Sequence, residues 1–106
     1  MNGEMRSKVY FKIEFLWIPE EFGGHNGKPF EGMRAGIRWH KYIREYLECP
    51  RDVQCEKIEY DSESSIGSAL CSIYMGEQFD SEPLNAGHFI ELINGYKVLA
   101  VGKIVA

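Results

Sequence analysis

Residues 21–47 read EFGGHNGKPFEGMRAGIRWHKYIREYL and hold most of the side chains in this chain that could grip a charged partner. Gly23 and Gly24 are followed by His25 and Lys28. Consecutive backbone N–H groups in a glycine turn can cradle an anion. The same glycines equally serve a tight turn needing positive φ, one that aims the following Pro29-Phe30. Further on, Arg34, Arg38, His40 and Arg44 all have even numbers. In an extended chain they point to one side and can meet successive phosphates. Carboxylates such as Glu45 and Glu48 offer the alternative that this face is solvated and paired across strands.

Other chemistry finds little support. The chain has no GxxxxGK[ST] phosphate loop, since Gly23-Gly24 and Gly27-Lys28 have neither its spacing nor its hydroxyl. The histidines, His25, His40 and His88, are not clustered with other ligands as a zinc site requires, and no metal or other cofactor is expected. Cys49, Cys55 and Cys71 are odd in number and include no CxxC pair, which argues against a disulfide framework and for a reducing compartment. Cys55 and Cys71 fall on strand patterns and read as core thiols, whereas Cys49 precedes Pro50 in a loop. A nucleophilic cysteine needs a neighbouring base, and none is evident.

These side chains must be positioned by strands. Val9, Phe11, Ile13, Phe15 and Trp17 alternate with Tyr10, Lys12 and Glu14, the period-2 pattern of a half-buried strand. Pro19 ends it, and the glycines of 20–32 with Pro29 read as loop. Met33, Ala35, Ile37 and Trp39 alternate with the basic residues, predicting a strand as far as about Tyr42. Residues 53–60 alternate imperfectly, 61–68 are a polar turn, and Ala69, Cys71, Ile73 and Met75 share one face of a short strand. After a loop over 76–87, Asn94-Gly95 separates two apolar runs and predicts a hairpin. Gly102 marks a bulge or a close backbone approach. Trp17 and Trp39 read as core, and Tyr10, Tyr42 and Tyr60 as surface aromatics able to stack on bases or anchor a partner.

The chain has 106 residues, a net charge of −4 and 44% hydrophobic residues, enough for one domain with a real core. The acidic balance argues against indiscriminate nucleic-acid binding. No apolar run approaches the roughly 20 residues that span a bilayer. The start MNGEMRSK has no apolar signal region, so a cytoplasmic location is expected.

A strand, then EEFGGHNGKPFEGMRAGIRW, then PLNAGHFIELINGYKVLAVGKI, resembles the C-terminal β-barrel of bacterial elongation factor Tu. The likeness is carried first by Glu21, Gly23, Gly24, Pro29, Phe30, Gly32, Met33 and Arg34. Toward the end it is carried by Pro83, Gly87, Phe89, Ile90, Asn94, Gly95, Val101 and Gly102. It extends over residues 8–105, is specific at both ends and is weak between 45 and 80. Related barrels occur in other translational GTPases and in GTPase subunits of sulfate activation, so the likeness names an architecture more firmly than a role. Neither a GTPase domain nor a middle barrel lies in these residues, which excludes GTP hydrolysis by this chain alone. Where the family places Arg-His after the glycines, this chain has His25, Asn26, Gly27 and Lys28, with one extra residue before the proline. Phe22 also interrupts the acidic approach. In the family this loop lies near the T-stem of aminoacyl-tRNA, which implies a tRNA contact for His25, Lys28 and Arg34.

The resulting expectation is an all-β chain: one small closed antiparallel barrel of about six strands over 8–106, after a tail at 1–7. The expected function is a non-catalytic binding module contacting tRNA or another translation component. Gly23, Gly24, His25, Lys28, Arg34, Arg38 and His40 would form the contact, without metal, cofactor or membrane. The alternative is a protein-interaction, immunity or regulatory domain with one protein partner and no RNA. An enzyme built on the histidines and cysteines stands third.

Overall fold

The computed structural model describes residues 7–24, 27–42, 51–75 and 82–106; His25, Arg44 and Cys49 lie outside them. Six strands form: β1 (Ser7–Trp17), β2 (Met33–Trp39), β3 (Arg51–Asp61), β4 (Ile66–Met75), β5 (Phe89–Asn94) and β6 (Lys97–Ile104). They close into an antiparallel barrel in the order β1-β4-β3-β2-β5-β6, with β6 returning to β1. Closure gives each strand two neighbours and so protects the backbone edges that an all-β chain would otherwise expose. Among the described residues no helix is long and apolar enough to cross a membrane.

The alternation in the sequence becomes the inside and outside of the barrel. Phe11, Ile13, Phe15 and Trp17 of β1 point inward, as do Met33, Ala35, Ile37 and Trp39 of β2. They meet Val53 and Cys55 from β3, Ala69, Cys71 and Ile73 from β4, and Ile90, Leu92, Leu99, Ala100 and Ile104 from β5 and β6.

Glycine decides one row of this core. Phe15 is paired with Gly67 of β4 on one side and with Gly102 of β6 on the other. A Cβ on Gly102 would lie 2.1 Å from the Glu14 carbonyl oxygen, the close approach expected there. A bulge lies nearby but not at Gly102 itself: the β5–β6 register shifts between Leu92 and Ile93, with Leu92 opposite Ala100 and Ile93 opposite Val98.

The imperfect alternation of β3 has a local cause. Its register with β4 runs through Cys55↔Cys71 and then jumps to Lys57↔Leu70. Glu56 is thus an extra residue, and the bulge flips the parity so that Ile58 and Tyr60 return to pack against the core. Three further expectations are corrected. β2 stops at Trp39, because the Tyr42 amide turns back to the Trp39 carbonyl. β4 begins at Ile66, earlier than the polar composition implies, so the turn is shorter. The last hairpin turns on Gly95-Tyr96, since Asn94 pairs with Lys97 and only Gly95 has positive φ, 63°. Glycine at the first turn position is the tight-hairpin arrangement. Of the tyrosines read as surface anchors, Tyr10 is exposed, while Tyr42 and Tyr60 are half-buried against the core.

Candidate functional site

At each end of the barrel a tryptophan indole fastens a segment that follows or precedes a strand. At the first end Trp17 Nε1 donates to the Gly27 carbonyl at 2.9 Å. At the other, Trp39 Nε1 donates to the Pro83 carbonyl at 2.7 Å in a buried bond. An indole on an inward-facing strand end has one donor and must find an acceptor, so each tryptophan fastens what lies above it.

The first end carries the glycine pair. After Pro19 the chain makes a 3₁₀ turn, Glu20–Phe22. The amide of Gly23 donates to Glu20 and that of Gly24 to Pro19. Gly23 has φ 99°, and a Cβ on Gly24 would lie 1.8 Å from the Ile18 carbonyl oxygen. The glycine pair is therefore a turn packed on its own backbone. With both amides already bonded inside the loop, it does not form an anion cradle.

Beyond this turn, Gly27 and Lys28 cross the end of the barrel as a strap and separate two hollows. One, of about 420 Å³, is rimmed by Glu20, Glu21, Ser62 and Ser65. The other is a cleft of about 210 Å³ lined by Trp17, Lys28, Phe30, Met33, Arg34, Asn94 and Leu99. Its floor is buried core (Trp17, Met33, Leu99) and its rim is exposed (Lys28, Phe30, Arg34, Asn94). Among the described residues no carboxylate lines it. Around the same end large apolar side chains stand in water: Phe22 at 75% exposure, Phe30 at 64% and Tyr96 at 106% in the loops, with Leu16 and Ile66 on the strands below them.

Of the predicted basic stripe, Arg34 and Arg38 share the outer face of β2 and His40 is exposed just past its end, but they differ in their partners. Arg38 lies opposite Glu91 in the β2–β5 register, and its guanidinium donates to Glu91 Oε1 at 2.7 Å. His40 Nε2 sits 3.3 Å from the other oxygen of the same carboxylate. Both follow the paired-face alternative. Arg34, four residues earlier and so roughly 13 Å away along the strand, is exposed at the cleft. Of the predicted contact residues, then, Gly23, Gly24, Lys28 and Arg34 share one end of the barrel, whereas Arg38 and His40 are engaged toward the other.

Glu56, on the outer face, accepts from Ser72 Oγ at 2.6 Å and pairs with Lys8 Nζ at 3.0 Å. The hydroxyl and then the ammonium hold its carboxyl below the ordinary range, with Arg34 adding only a more distant charge.

The second end holds a cluster that sequence reasoning missed. Glu82 accepts from the Tyr42 hydroxyl on one oxygen; His88 Nε2 lies 2.9 Å and Lys41 Nζ 3.6 Å from the other. Tyr42 and then His88 hold the Glu82 carboxyl below its ordinary value, and Glu82 in turn raises the Tyr42 hydroxyl. These groups satisfy one another and bind the 82–88 segment to the end of β2. The partners lie as far apart in sequence as Tyr42 and Glu82, a separation of 40 residues, so spacing could not reveal them. Inside the barrel, the Cys55 and Cys71 sulfurs lie 3.9 Å apart, both buried. Among the described residues no three His, Cys, Asp or Glu side chains come together as metal ligands would.

Compared with family models, with curated proteins and with solved structures, the chain matches none.

Proposed function

We propose that this chain is a non-catalytic binding module, a barrel of the elongation factor Tu C-terminal kind, that holds a protein partner against the end where residues 19–24 and 27–32 lie. The observation that carries this reading is the exposure of Phe22, Phe30 and Tyr96 together at that end, beside a cleft floored by core residues. Exposed aromatic side chains around an apolar depression, with cations at the rim, match the composition of protein interfaces. The net charge of −4 also favours a protein over a polyphosphate. The runner-up is tRNA, a contact that the resemblance implies for this loop. It is favoured by Lys28 and Arg34, which have no ion pair among the described residues, and disfavoured by the engagement of Arg38 and His40 with Glu91.

A photoreactive phenylalanine analogue placed at Tyr96, at Phe22, or at Tyr10 on the barrel side tests the reading in cells that make the protein. Protein-sized adducts from the first two positions and not from Tyr10 are expected. Ribonuclease-sensitive adducts, adducts equally abundant at Tyr10, or no adducts at all would overturn it. A titration with total aminoacyl-tRNA at low salt and at about 0.2 M salt tests the runner-up. Phosphate contacts would show as saturable binding that weakens steeply with salt.

A further inference from the structure

The cleft between Phe30 and the β5–β6 turn combines features that together define a ligand. Its floor is apolar and belongs to the core: Trp17, Met33 and Leu99. Its rim offers two cations, Lys28 and Arg34, and the Asn94 amide, with no carboxylate among the described lining residues. Across the strap the other hollow shares Lys28 but sets Glu20 and Glu21 against it and has no arginine among its described lining residues. Arg34 on one side of the strap and Glu20 and Glu21 on the other thus favour the cleft for an anionic group. The volume, about 210 Å³, is below the several hundred Å³ usual for a nucleotide or cofactor site. It fits one amino-acid residue.

We infer that this cleft captures the C-terminal residue of a partner polypeptide, with an apolar side chain on the floor and the terminal carboxylate between Lys28 and Arg34. The inference rests on the reading of this end as a protein-binding surface. Charge and size together select the occupant. Within one residue's span the ligand must present both an apolar body and an anion. An internal Asp or Glu uses its side chain for the anion and leaves nothing to cover Trp17, Met33 and Leu99. A C-terminal Leu, Met or Val carries both groups on one Cα, and capture of a terminal carboxylate is an established recognition mode. Arg34 supplies a planar fork for the carboxylate and Lys28 a mobile point charge.

The Trp17 indole N–H, fixed on Gly27 and lining the cleft, is a built-in reporter. The test is a nuclear magnetic resonance titration of the whole chain with N-acetyl-leucine, N-acetyl-leucinamide and N-acetyl-aspartic acid α-amide. Saturable shifts of the Trp17 indole N–H and the Met33 methyl are expected with the first probe. The two others should bind at least about tenfold more weakly, the loss expected when a charge-assisted contact or the apolar burial is removed. R34Q and K28Q, both on exposed side chains, should each weaken N-acetyl-leucine while leaving the buried methyl spectrum unchanged. Equal binding of acid and amide, equal binding of the aspartic derivative, no saturable shift, or unchanged affinity in both variants would overturn the inference. Its failure is separable from that of the broader reading. Protein adducts from Tyr96 and Phe22 without acid binding would remove only the C-terminal specificity. Acid binding without adducts would leave a carboxylate site on a barrel whose protein partner is refuted.

Discussion

Phe15 and Tyr60 stack across Gly67, their ring centroids 6.3 Å apart and their planes within 9° of parallel. Gly67 is the register partner of both, Phe15 on β1 and Tyr60 on β3, and its missing side chain leaves the space the two rings share. Trp17 meets Phe15 edge-on at 6.4 Å and extends the row toward the end of the barrel, where its indole holds the strap. The aromatic core and the candidate cleft are thus one continuous packing arrangement.

Glycines in this row should therefore resist even the smallest substitution. In G102A the new methyl would face backbone atoms of Glu14 and Phe15, which cannot swing aside as a side chain can. The expected loss is about 3 kcal/mol or more, at the upper end of overpacking costs. G95A meets open space and has only its positive φ to resist it, so about 1–2 kcal/mol is expected. Urea denaturation of the two variants measures the difference; equal costs would refute the close-approach account.

W39F should uncouple the second loop. The buried Pro83 carbonyl would lose its donor, at a cost of about 1–3 kcal/mol. Amide exchange at Asn85 and Gly87, bonded to Glu82 and Ile104, should accelerate relative to that in β1. W17F removes a bond that is only partly buried and should cost less, while altering the cleft.

Arg38 and Arg34 should separate stability from binding. R38A breaks a partly buried pair with Glu91 and should lower stability by about 1 kcal/mol without changing partner binding. R34A, on an exposed side chain, should leave stability within about 0.5 kcal/mol and weaken binding at the cleft. Urea melts and titration of the two variants check the pair; a reversal of roles would return the outer face of β2 to candidacy.

Acid should loosen both carboxylate clusters. Glu82 and Glu56 ionise more readily when folded, held by Tyr42 and His88 in one case and by Ser72 and Lys8 in the other. A folded-state value below the unfolded one means the stabilisation is complete above the unfolded value, ~4.3, and is lost as pH falls through the lower folded value. The urea midpoint should thus hold steady from pH 6 to about 5 and decline below that. E82Q and E56Q should begin lower and decline less steeply, and parallel curves for wild type and variants would refute the assignment.

Cys55 and Cys71 should be silent to thiol reagents in the native barrel. Their contact and their burial push the Cys71 thiol far above its usual range, where it stays protonated. Under native conditions both should label with iodoacetamide only as fast as the barrel opens, and immediately in denaturant. Rapid native labelling of either would show access that the closed barrel denies.

The sequence by itself determined the all-β character, the positions of most strands and the inner face of the barrel. Alternation in β1, β2 and β4 is a local property of the chain, read at period 2 and enforced by burial of one face. The turn role of Gly23-Gly24 was also open to local reading, because backbone geometry is set within a few residues. Tertiary structure alone decided the rest. The bulge at Glu56, which turns Ile58 and Tyr60 inward, depends on β4 being the neighbour. The engagement of Arg38 and His40 depends on Glu91 arriving from β5, 53 residues beyond Arg38. Glu82 meets Tyr42 only because the barrel closes the 82–88 segment over the end of β2. Charges and donors act through distances of a few ångströms, which chain separation does not encode. A basic stripe legible along β2 was thus divided by its cross-strand neighbours, and the cleft beside Phe30 arose where residues from four separate segments converge.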